Sequence, residues 1–236
     1  MNSIKIILAL ILTVSLTSCQ FGQIKGNGEV VTEERSVTAD FDKVRGGSGI
    51  DVYLTEGSEN KIVVEADENL QNIIETNISN GKLTIRSSKN IGRASAKKVH
   101  VTYVSLTSIE ASSGADVIGN SVIRSENLSL SASSGADLEV EVFTKNLTAE
   151  TSSGADLIVT GKAETLDASA SSGSELNAKR LQVITCSAKA SSGADIVVNV
   201  KDKLNAKASS GGDVRYYGDP VSVSKKDSSS GNIRKM

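Results

Sequence analysis

The fold is decided by residues 131–159, which read SASSGADLEVEVFTKNLTAETSSGADLIV. The pentapeptide Ser-Ser-Gly-Ala-Asp starts at Ser133 and again at Ser152. Its complete and variant copies begin at Ser112, Ser133, Ser152, Ser171, Ser191 and Ser209. Their glycines, together with that of an earlier copy in Gly47-Ser48-Gly49-Ile50-Asp51, are Gly49, Gly114, Gly135, Gly154, Gly173, Gly193 and Gly211. Self-similarity with a period of about twenty residues indicates a repeat architecture.

Apolar and polar residues alternate on both sides of each pentapeptide. Leu138 and Val140 share one face of the chain, and Asp137 and Glu139 share the other. A period of two is typical of a β-strand with one buried face. Each repeat is therefore predicted to contain a strand, a Ser-Ser-Gly corner, a second strand and a polar connection such as residues 144–146. The glycine supplies a bend with positive φ that a Cβ would oppose.

One such unit cannot bury its apolar stripe alone, whereas stacked units bury all their stripes in one core. The sequence therefore predicts an all-β fold, a parallel β-helix or β-solenoid with rungs about 4.8 Å apart. Right-handed coiling is the expected hand for parallel β crossovers. The solenoid is expected over residues 111–236, ending in a fading coil around Ser229-Ser230-Gly231. In that coil the inward positions are expected to be Ser224, Lys226 and Ser228.

Residues 29–110 are predicted to form a less regular β region that continues into the solenoid. Strands are expected at residues 30–38, 44–54 and 61–65. A short helical turn with Asp67 as its cap is expected next. The dipeptide Asn80-Gly81 lies between two alternating segments, which predicts a β-hairpin with a type I′ turn.

The N-terminus has the pattern of a targeting segment. An apolar run from Ile6 to Val14 follows Lys5 and is too short for a permanent membrane span, which needs roughly 20 apolar residues. Leu16-Thr17-Ser18-Cys19 resembles the bacterial lipobox, which implies a lipoprotein signal peptide over residues 1–18 and acyl chains on Cys19. Two or more acyl chains anchor a protein stably, since each buried CH₂ contributes about 0.8 kcal/mol. The alternative is an ordinary secretory signal with a chance cysteine.

Residues 19–28 are polar and glycine-rich, which predicts a flexible, lipid-anchored tether. Gln20 follows the cysteine, and by resemblance to the enterobacterial sorting rule it favours the outer membrane. The sequence therefore predicts an exported protein that is lipid-anchored to the bacterial envelope, with the side of the membrane left open.

Composition argues against several functional classes. The net charge is −2, from 26 basic and 28 acidic residues without a basic block, so no nucleic-acid partner is expected. The single histidine, His100, lies in an alternating strand and is expected to be an exposed strand residue rather than a base. Lipidation of Cys19 leaves Cys186 unpaired at a position that other repeats fill with leucine, which predicts a small buried hydrophobe. No cofactor is predicted.

Four features together resemble the putative auto-transporter adhesin head GIN-domain family. They are the lipobox, Phe41 followed by Val44, the segment Gly49-Ile50-Asp51-Val52 and the Ser-Gly-Ala-Asp repeats. The resemblance covers about residues 40–220. It implies a parallel β-helix-like fold in an exported protein, of a family found largely among envelope proteins of Bacteroidetes, and it brings no catalytic residues.

One acidic residue follows each corner, and we call this set the acidic ladder. Its members, which Asp51 extends upstream, are Asp116, Asp137, Asp156, Glu175, Asp195 and Asp213. They are expected to project outward along one edge, where carboxylates could bind cations such as Ca²⁺. The alternative is that each carboxylate accepts backbone N–H bonds at its corner and stays solvated.

A polysaccharide-degrading β-helix enzyme is a further alternative, with Asp213 and Arg215, or the acidic ladder and Arg86, as candidate groups. Acids repeated on every coil lack the localised pair of contrasting carboxylates that such chemistry needs. We therefore predict a non-catalytic envelope lipoprotein, a rigid module for adhesion or scaffolding. Its partners, besides the membrane, would be a protein, a glycan or a second copy of the chain. Outward apolar residues that could mark a patch are Ile158, Val197 and Tyr217.

Overall fold

A computed structural model describes residues 22–228 and 230–236, so the predicted signal peptide and Cys19 lie outside the described residues. The described chain is almost entirely β-structure, with one 3₁₀ helix at Glu68–Ile73. The strands are β1 (Val30–Arg35), β2 (Lys43–Gly46), β3 (Asp51–Glu56), β4 (Lys61–Asp67), β5 (Ile74–Ser79), β6 (Lys82–Ser87), β7 (Lys97–Tyr103), β8 (Ser108–Ser112), β9 (Asp116–Gly119), β10 (Ile123–Ser133), β11 (Asp137–Ser152), β12 (Asp156–Ala170), β13 (Glu175–Ser191), β14 (Asp195–Ser209), β15 (Asp213–Tyr217), β16 (Ser222–Ser228) and β17 (Asn232–Lys235). Within the described ranges, no helix has the length and apolar character needed to cross a membrane.

The repeats stack as a parallel β-solenoid of about seven turns, which confirms the predicted fold. Each of the long strands β11 to β14 runs from one corner to the next and pairs in register with the strand of the next coil. Like residues therefore stack on like, as Leu138 does on Leu157 and Leu157 on Leu176. The inward rows join one apolar core that runs from Phe41 to Ile233.

The seven corners from Ser48-Gly49 to Ser210-Gly211 are tight turns in which two successive residues are left-handed. In one coil Ser153 has φ 56° and Gly154 has φ 69°, and the Ala155 N–H donates to the Ser152 carbonyl at 3.3 Å. This combination defines a type I′ turn. The Gly154 N–H then donates to the carbonyl of Ser172 in the next coil, at 3.2 Å. Main-chain hydrogen bonds therefore link corner to corner along the column.

The N-terminal coils do not stack in chain order. The coil formed by β2 and β3 pairs with β6 and β7 on one side and with β8 and β9 on the other, all in parallel. The earliest coil of the sequence is thus inserted between two later ones. Its corner, with Ser48 at φ 61° and Gly49 at φ 67°, has the geometry of the later corners.

Antiparallel strands close the N-terminal end of the column. Strand β4 pairs antiparallel with β7, β1 pairs antiparallel with β4, and β5 forms a hairpin with β6. Asn80 and Gly81 have φ 51° and 72°, which confirms the type I′ hairpin. The 3₁₀ helix joins β4 to β5 and buries Leu70 and Ile73 in the core.

The predicted short helical turn is present and Asp67 occupies its N-cap position, but the Asp67 side chain makes no capping hydrogen bond. Its buried carboxylate instead accepts hydrogen bonds from the N–H groups of Gly28, Ser95 and Ala96 at 2.8–3.0 Å. Residues at the end of the expected tether pack in the same place: the Ile24 N–H donates to the Asn90 carbonyl, the Gly26 N–H donates to the Arg93 carbonyl, and a Cβ on Gly26 would overlap the Asp67 carboxylate. The described end of the tether therefore belongs to the packed cap.

The last coil is shifted by one residue from its predicted register. The sequence places the start of the turn at residue 229, by aligning Gly231 with the earlier corner glycines. In the structure Ser228 pairs with Ser209 and the Gly231 N–H donates to the Ser228 carbonyl, so the turn starts at Ser228. Ser230 takes the left-handed position with φ 67°, while Gly231 lies where a Cβ would overlap the Ala208 backbone. The residues opposite the inward positions of the preceding coil are Val223, Lys225 and Asp227.

Differences in coil length are absorbed at the edge opposite the Ser-Gly corners, which we call the second edge. The pairing of β12 with β13 shifts between Ile158 and Gly161, and that of β13 with β14 shifts twice between Ala178 and Thr185. Gly161 has φ 105°, and a Cβ there would overlap the Val142 carbonyl oxygen. The seven corners from Gly49 to Gly211 keep the same geometry, while the second edge varies from coil to coil.

Candidate interaction surfaces

The corners bring the acidic ladder into register. Each acidic residue pairs with that of the next coil in the order Asp51, Asp116, Asp137, Asp156, Glu175, Asp195 and Asp213. The whole set therefore forms one outward row that runs along the column beside the corners.

Two members of the acidic ladder, Asp51 and Asp195, have a cationic partner, and its central members have none among the described residues. Lys97 lies 3.7 Å from Asp51, and Arg215 lies 3.0 Å from Asp195. Partial burial raises the pKa of Asp137, and the neighbouring carboxylates of Asp116 and Asp156 raise it further. The centre of the row is thus a region of unrelieved negative charge.

The acidic ladder does not gather its oxygens around a point. Over residues 22–228 and 230–236, no group of three or more His, Cys, Asp or Glu side chains converges in a way that could hold a metal ion. Calcium prefers six to eight oxygen ligands, whereas the ladder offers one side chain per rung. Cation binding by the row therefore stays a prediction.

The structure does not assemble the predicted catalytic pairs. The Arg215 guanidinium binds Asp195 in the preceding coil, and Arg86 binds Glu75 across the hairpin at 2.8 Å. His100 contacts Glu65 at 2.9 Å and stacks on Tyr53 with ring centroids 5.3 Å apart. These are pairs on exposed strand faces.

Cys186 behaves as a core residue. Its side chain is 1% exposed and stacks between Leu166 and Leu204 in neighbouring coils. Burial raises the pKa of its thiol to about 12. The thiolate is therefore disfavoured, as expected for a small buried hydrophobe.

An open groove of about 770 Å³ runs along the second edge, and we call it the edge groove. Its lining includes Phe143, Lys162, Ala163, Val183, Ile184 and Lys201. This surface was not singled out from the sequence. The groove spans coils whose outward residues differ at equivalent positions, as where Phe143 pairs with Lys162 and Lys162 with Gln182.

The edge groove exposes large apolar side chains. Phe143 is 54% exposed and Ile184 is 47% exposed, although the Arg124 guanidinium lies 5.5 Å from the Phe143 ring centroid. The outward apolar residues expected to form a patch do not do so, since Val197 is 8% exposed and Lys179 lies over the Tyr217 ring at 4.6 Å. Phe143 and Ile184 therefore place two large exposed apolar side chains at the second edge.

Comparison with solved structures shows the same fold in other proteins. A putative adhesin from Bacteroides fragilis matches with 18% identity and a TM-score of 0.84, covering 90% of this chain and 100% of that one. A putative adhesin from Parabacteroides merdae matches with 23% identity and a TM-score of 0.70, covering 91% and 99%. A putative lipid binding protein from Parabacteroides distasonis matches with 20% identity and a TM-score of 0.73, also covering 91% and 99%. At these identities the likeness shows the fold alone.

A comparison with curated proteins found no match. A family model described as "Putative auto-transporter adhesin, head GIN domain" matches residues 40–220, which is most of the chain. The matched segment begins beside the buried Phe41 and ends just after β15, so it contains every Ser-Gly corner except the last. The chain therefore belongs to the putative auto-transporter adhesin head GIN-domain family.

Proposed function

We propose that this protein is a non-enzymatic, adhesion-like module of the cell envelope, exported and attached to the outer membrane through acyl chains on Cys19. Family membership and the adhesin names of its structural neighbours support an envelope protein with an adhesion-like role. The lipid anchor rests on the lipobox at Leu16 to Cys19.

The observation that carries the proposal is the in-register acidic ladder. It repeats one chemistry on successive coils and leaves its central carboxylates without a cationic partner in the described part of the chain. An extended row of like charges suits a long partner with complementary charge, because many weak contacts act together. An active site would instead need a few groups with contrasting environments at one point.

The anchor is tested by labelling growing cells with radioactive palmitate. The natural chain is expected to incorporate label and to fractionate with membranes, whereas Cys19→Ser is expected to do neither. Ser18→Ala is a matched control that keeps the cysteine and a small residue before it. Labelling of Cys19→Ser would contradict the anchor.

The adhesive role is tested by protease treatment of intact cells, followed by cell attachment to a glycan or protein surface. Surface location predicts cleavage, and attachment is expected to fall when Asp116, Asp137 and Asp156 are changed together to Asn. The control is substitution by Asn of three serines on strands, the exposed Ser129 and the partly exposed Ser131 and Ser169. Protection from the protease would favour a periplasmic scaffold, and release of new reducing ends from a uronic-acid polymer would contradict the non-enzymatic proposal.

Lipid binding is a second candidate function. One structural neighbour is described as a putative lipid binding protein. The specific observation in its favour is the edge groove, which is lined mainly by apolar atoms and exposes Phe143 and Ile184.

A further inference from the structure

We infer that the edge groove binds a single-chain anionic amphiphile, an alkyl chain that ends in a carboxylate. This inference rests on the second candidate function and names its site and ligand class. The alkyl chain lies along Phe143, Ala163, Val183 and Ile184, and the carboxylate meets Lys162 and Lys201.

The apolar part of the edge groove is formed by consecutive coils. Ala163 pairs with Thr144 on one side and with Val183 on the other, so these three residues make a continuous floor. They are nearly buried and are fixed by the strand pairing, which makes the floor preformed. Preformed, mostly apolar concavities of 300–1,000 Å³ are typical of small-molecule sites, and the volume of about 770 Å³ falls in this range.

The apolar side chains on the two sides of the edge groove are exposed to water, which is unfavourable, and a bound ligand would cover them. Phe143 and Ile184 lie on either side of the floor and keep about half of their surface in water. Covering apolar surface contributes about 25 cal/mol per Å². An alkyl chain that covers Phe143 and Ile184 in the edge groove therefore gains a favourable contribution to its binding free energy from each of the two side chains.

The charges of the edge groove favour an anion. Its lining contains the cations Arg124, Lys145, Lys162 and Lys201 and the acids Glu126 and Glu164. Lys145 and Glu126 neutralise each other at 2.7 Å. Lys162 and Lys201 make no ion pair within the described part of the chain, so they remain available to a carboxylate.

The occupant is a free amphiphile rather than the surface of a bilayer. The apolar residues line a concave groove, and its volume of about 770 Å³ suits a small molecule such as a single alkyl chain. A bilayer would need an apolar face that projects from the protein. A free monomeric carboxylate is therefore the form that fits.

The test is calorimetric titration with dodecanoate below its micelle concentration. The chain used carries Cys19→Ser, so that no acyl chain of its own competes. We expect binding that weakens with salt, becomes about tenfold weaker in Phe143→Ala and in Lys162→Glu, and becomes tighter in Glu164→Gln. Lys207→Glu, an equal charge change on an exposed strand position outside the edge groove, is expected to bind as the parent chain does. Thermal melting of each variant checks that it is folded.

Each other result overturns the inference in a distinguishable way. Equal binding of dodecanoate and dodecanol would remove the role of the lysines while leaving lipid binding in place. Binding to phosphatidylglycerol vesicles without binding of monomeric dodecanoate would mean docking on a membrane. Dodecanoate binding that neither Phe143→Ala nor Lys162→Glu weakens would place the site elsewhere. Failure of all these probes to bind would overturn lipid binding itself.

Discussion

At the scale of the residue, the corners place serine where glycine or asparagine is the usual choice. The serine that precedes each corner glycine has φ between 52° and 61° over the seven corners from Ser48 to Ser210. A left-handed conformation costs an ordinary L-residue about 1–2 kcal/mol, and Asn tolerates it better than Ser. The chain's own hairpin uses Asn80 at the same turn position. The solenoid therefore carries a small conformational strain at every rung.

This strain predicts the direction of substitutions at one corner. Ser153→Asn is expected to raise the melting temperature, and Gly154→Ala is expected to lower the free energy of unfolding by about 1 kcal/mol. A Cβ on Gly154 meets nothing within 4 Å, so only backbone strain is involved. The control is Gly161→Ala, which also has positive φ but would overlap the Val142 carbonyl and is expected to destabilise much more. Equal effects of the two alanines, measured by urea unfolding, would contradict the strain argument.

Asp67 is the buried charge on which the N-terminal cap depends. Burial raises its pKa, but the hydrogen bonds from the N–H groups of Ala96, Gly28 and Ser95 outweigh burial, so that its pKa lies below the ordinary value of 3.8. A lowered pKa contributes stability above pH 3.8 that is lost as the pH falls through the folded-state pKa. Asp67→Asn is therefore expected to destabilise the protein by about 2–3 kcal/mol at pH 7 and by less at pH 3. Urea unfolding at both pH values checks this, and an equal loss at both would contradict it.

Asp137 behaves in the opposite way. Its pKa is raised above 3.8 by burial and by the carboxylates on either side. The stability that this shift contributes is present below pH 3.8 and is lost as the pH rises through the folded-state pKa. Asp137→Asn is therefore expected to melt at a higher temperature than the natural chain at pH 7 and at the same temperature at pH 3.

The same substitution tests cation binding by the acidic ladder. If the ladder binds calcium, millimolar calcium is expected to raise the melting temperature of the natural chain and to raise that of Asp137→Asn less. Glu139→Gln, a substitution outside the ladder on the same strand, is the control and is expected to respond to calcium as the natural chain does.

At the scale of the element, the sequence predicts what is local and misses what depends on distant pairing. The corners, the alternation of strands and the Asn80-Gly81 hairpin all follow from short-range residue chemistry. The buried role of Asp67 and the insertion of the β2–β3 coil between later coils involve partners far along the chain, which no local pattern specifies. The sequence predicts the last coil one residue away from its observed register, because its serines and Gly231 allow the turn to start at either of two residues. The close packing of Gly231 against the Ala208 backbone selects the observed register, in which Ser228 pairs with Ser209.

The candidate sites follow the same rule. The in-register acidic ladder was predictable, because one acidic residue follows every corner at a fixed offset. The edge groove was not, because the outward residues at the second edge differ from coil to coil and follow no repeat. Phe143 and Ile184 lie in different coils, and only the stacked structure brings them to the same groove.

Unequal coil lengths predict that the two edges differ in their tolerance of insertions. The glycines Gly193 and Gly211 are the most closely spaced pair of neighbouring corner glycines, so one extra glycine after Lys201 brings this coil to a length found elsewhere in the column. The melting temperature is expected to fall only slightly. The matched control inserts one glycine between Ser192 and Gly193, which breaks the type I′ turn and moves the following side chains to the opposite face. Loss of cooperative melting is expected there, and equal tolerance would contradict the assignment of the edges.

At the scale of the whole molecule, both ends of the column are closed against further stacking. Antiparallel β1 covers β4 at the N-terminal end and presents charged residues at its exposed edge. At the other end the last coil places Lys225 over the Tyr216 ring at 4.9 Å. Charged, irregular terminal coils prevent edge-to-edge association of stacked β-structures.

Removal of the last coil is therefore expected to cause self-association. A chain that ends at Gly218 lacks β16 and β17 and exposes the paired edges of β14 and β15. Light scattering is expected to show oligomers, and the melting temperature is expected to fall. The control, Val221→Ser, removes an apolar side chain that is 86% exposed and is expected to stay monomeric. A monomeric truncated chain with unchanged melting would mean that the last coil does not act as a cap.

The insertion of the β2–β3 coil between later coils has a consequence for the order of folding. Residues 43–56 have a neighbour on each side only after residue 119 has been synthesised, because β6 to β9 supply both neighbours. The first rungs must therefore condense together as one nucleus with long loops to close, which is a slow step. Every later rung needs only its predecessor as a template and adds quickly by zippering. The rate of folding is thus set before the regular repeats begin.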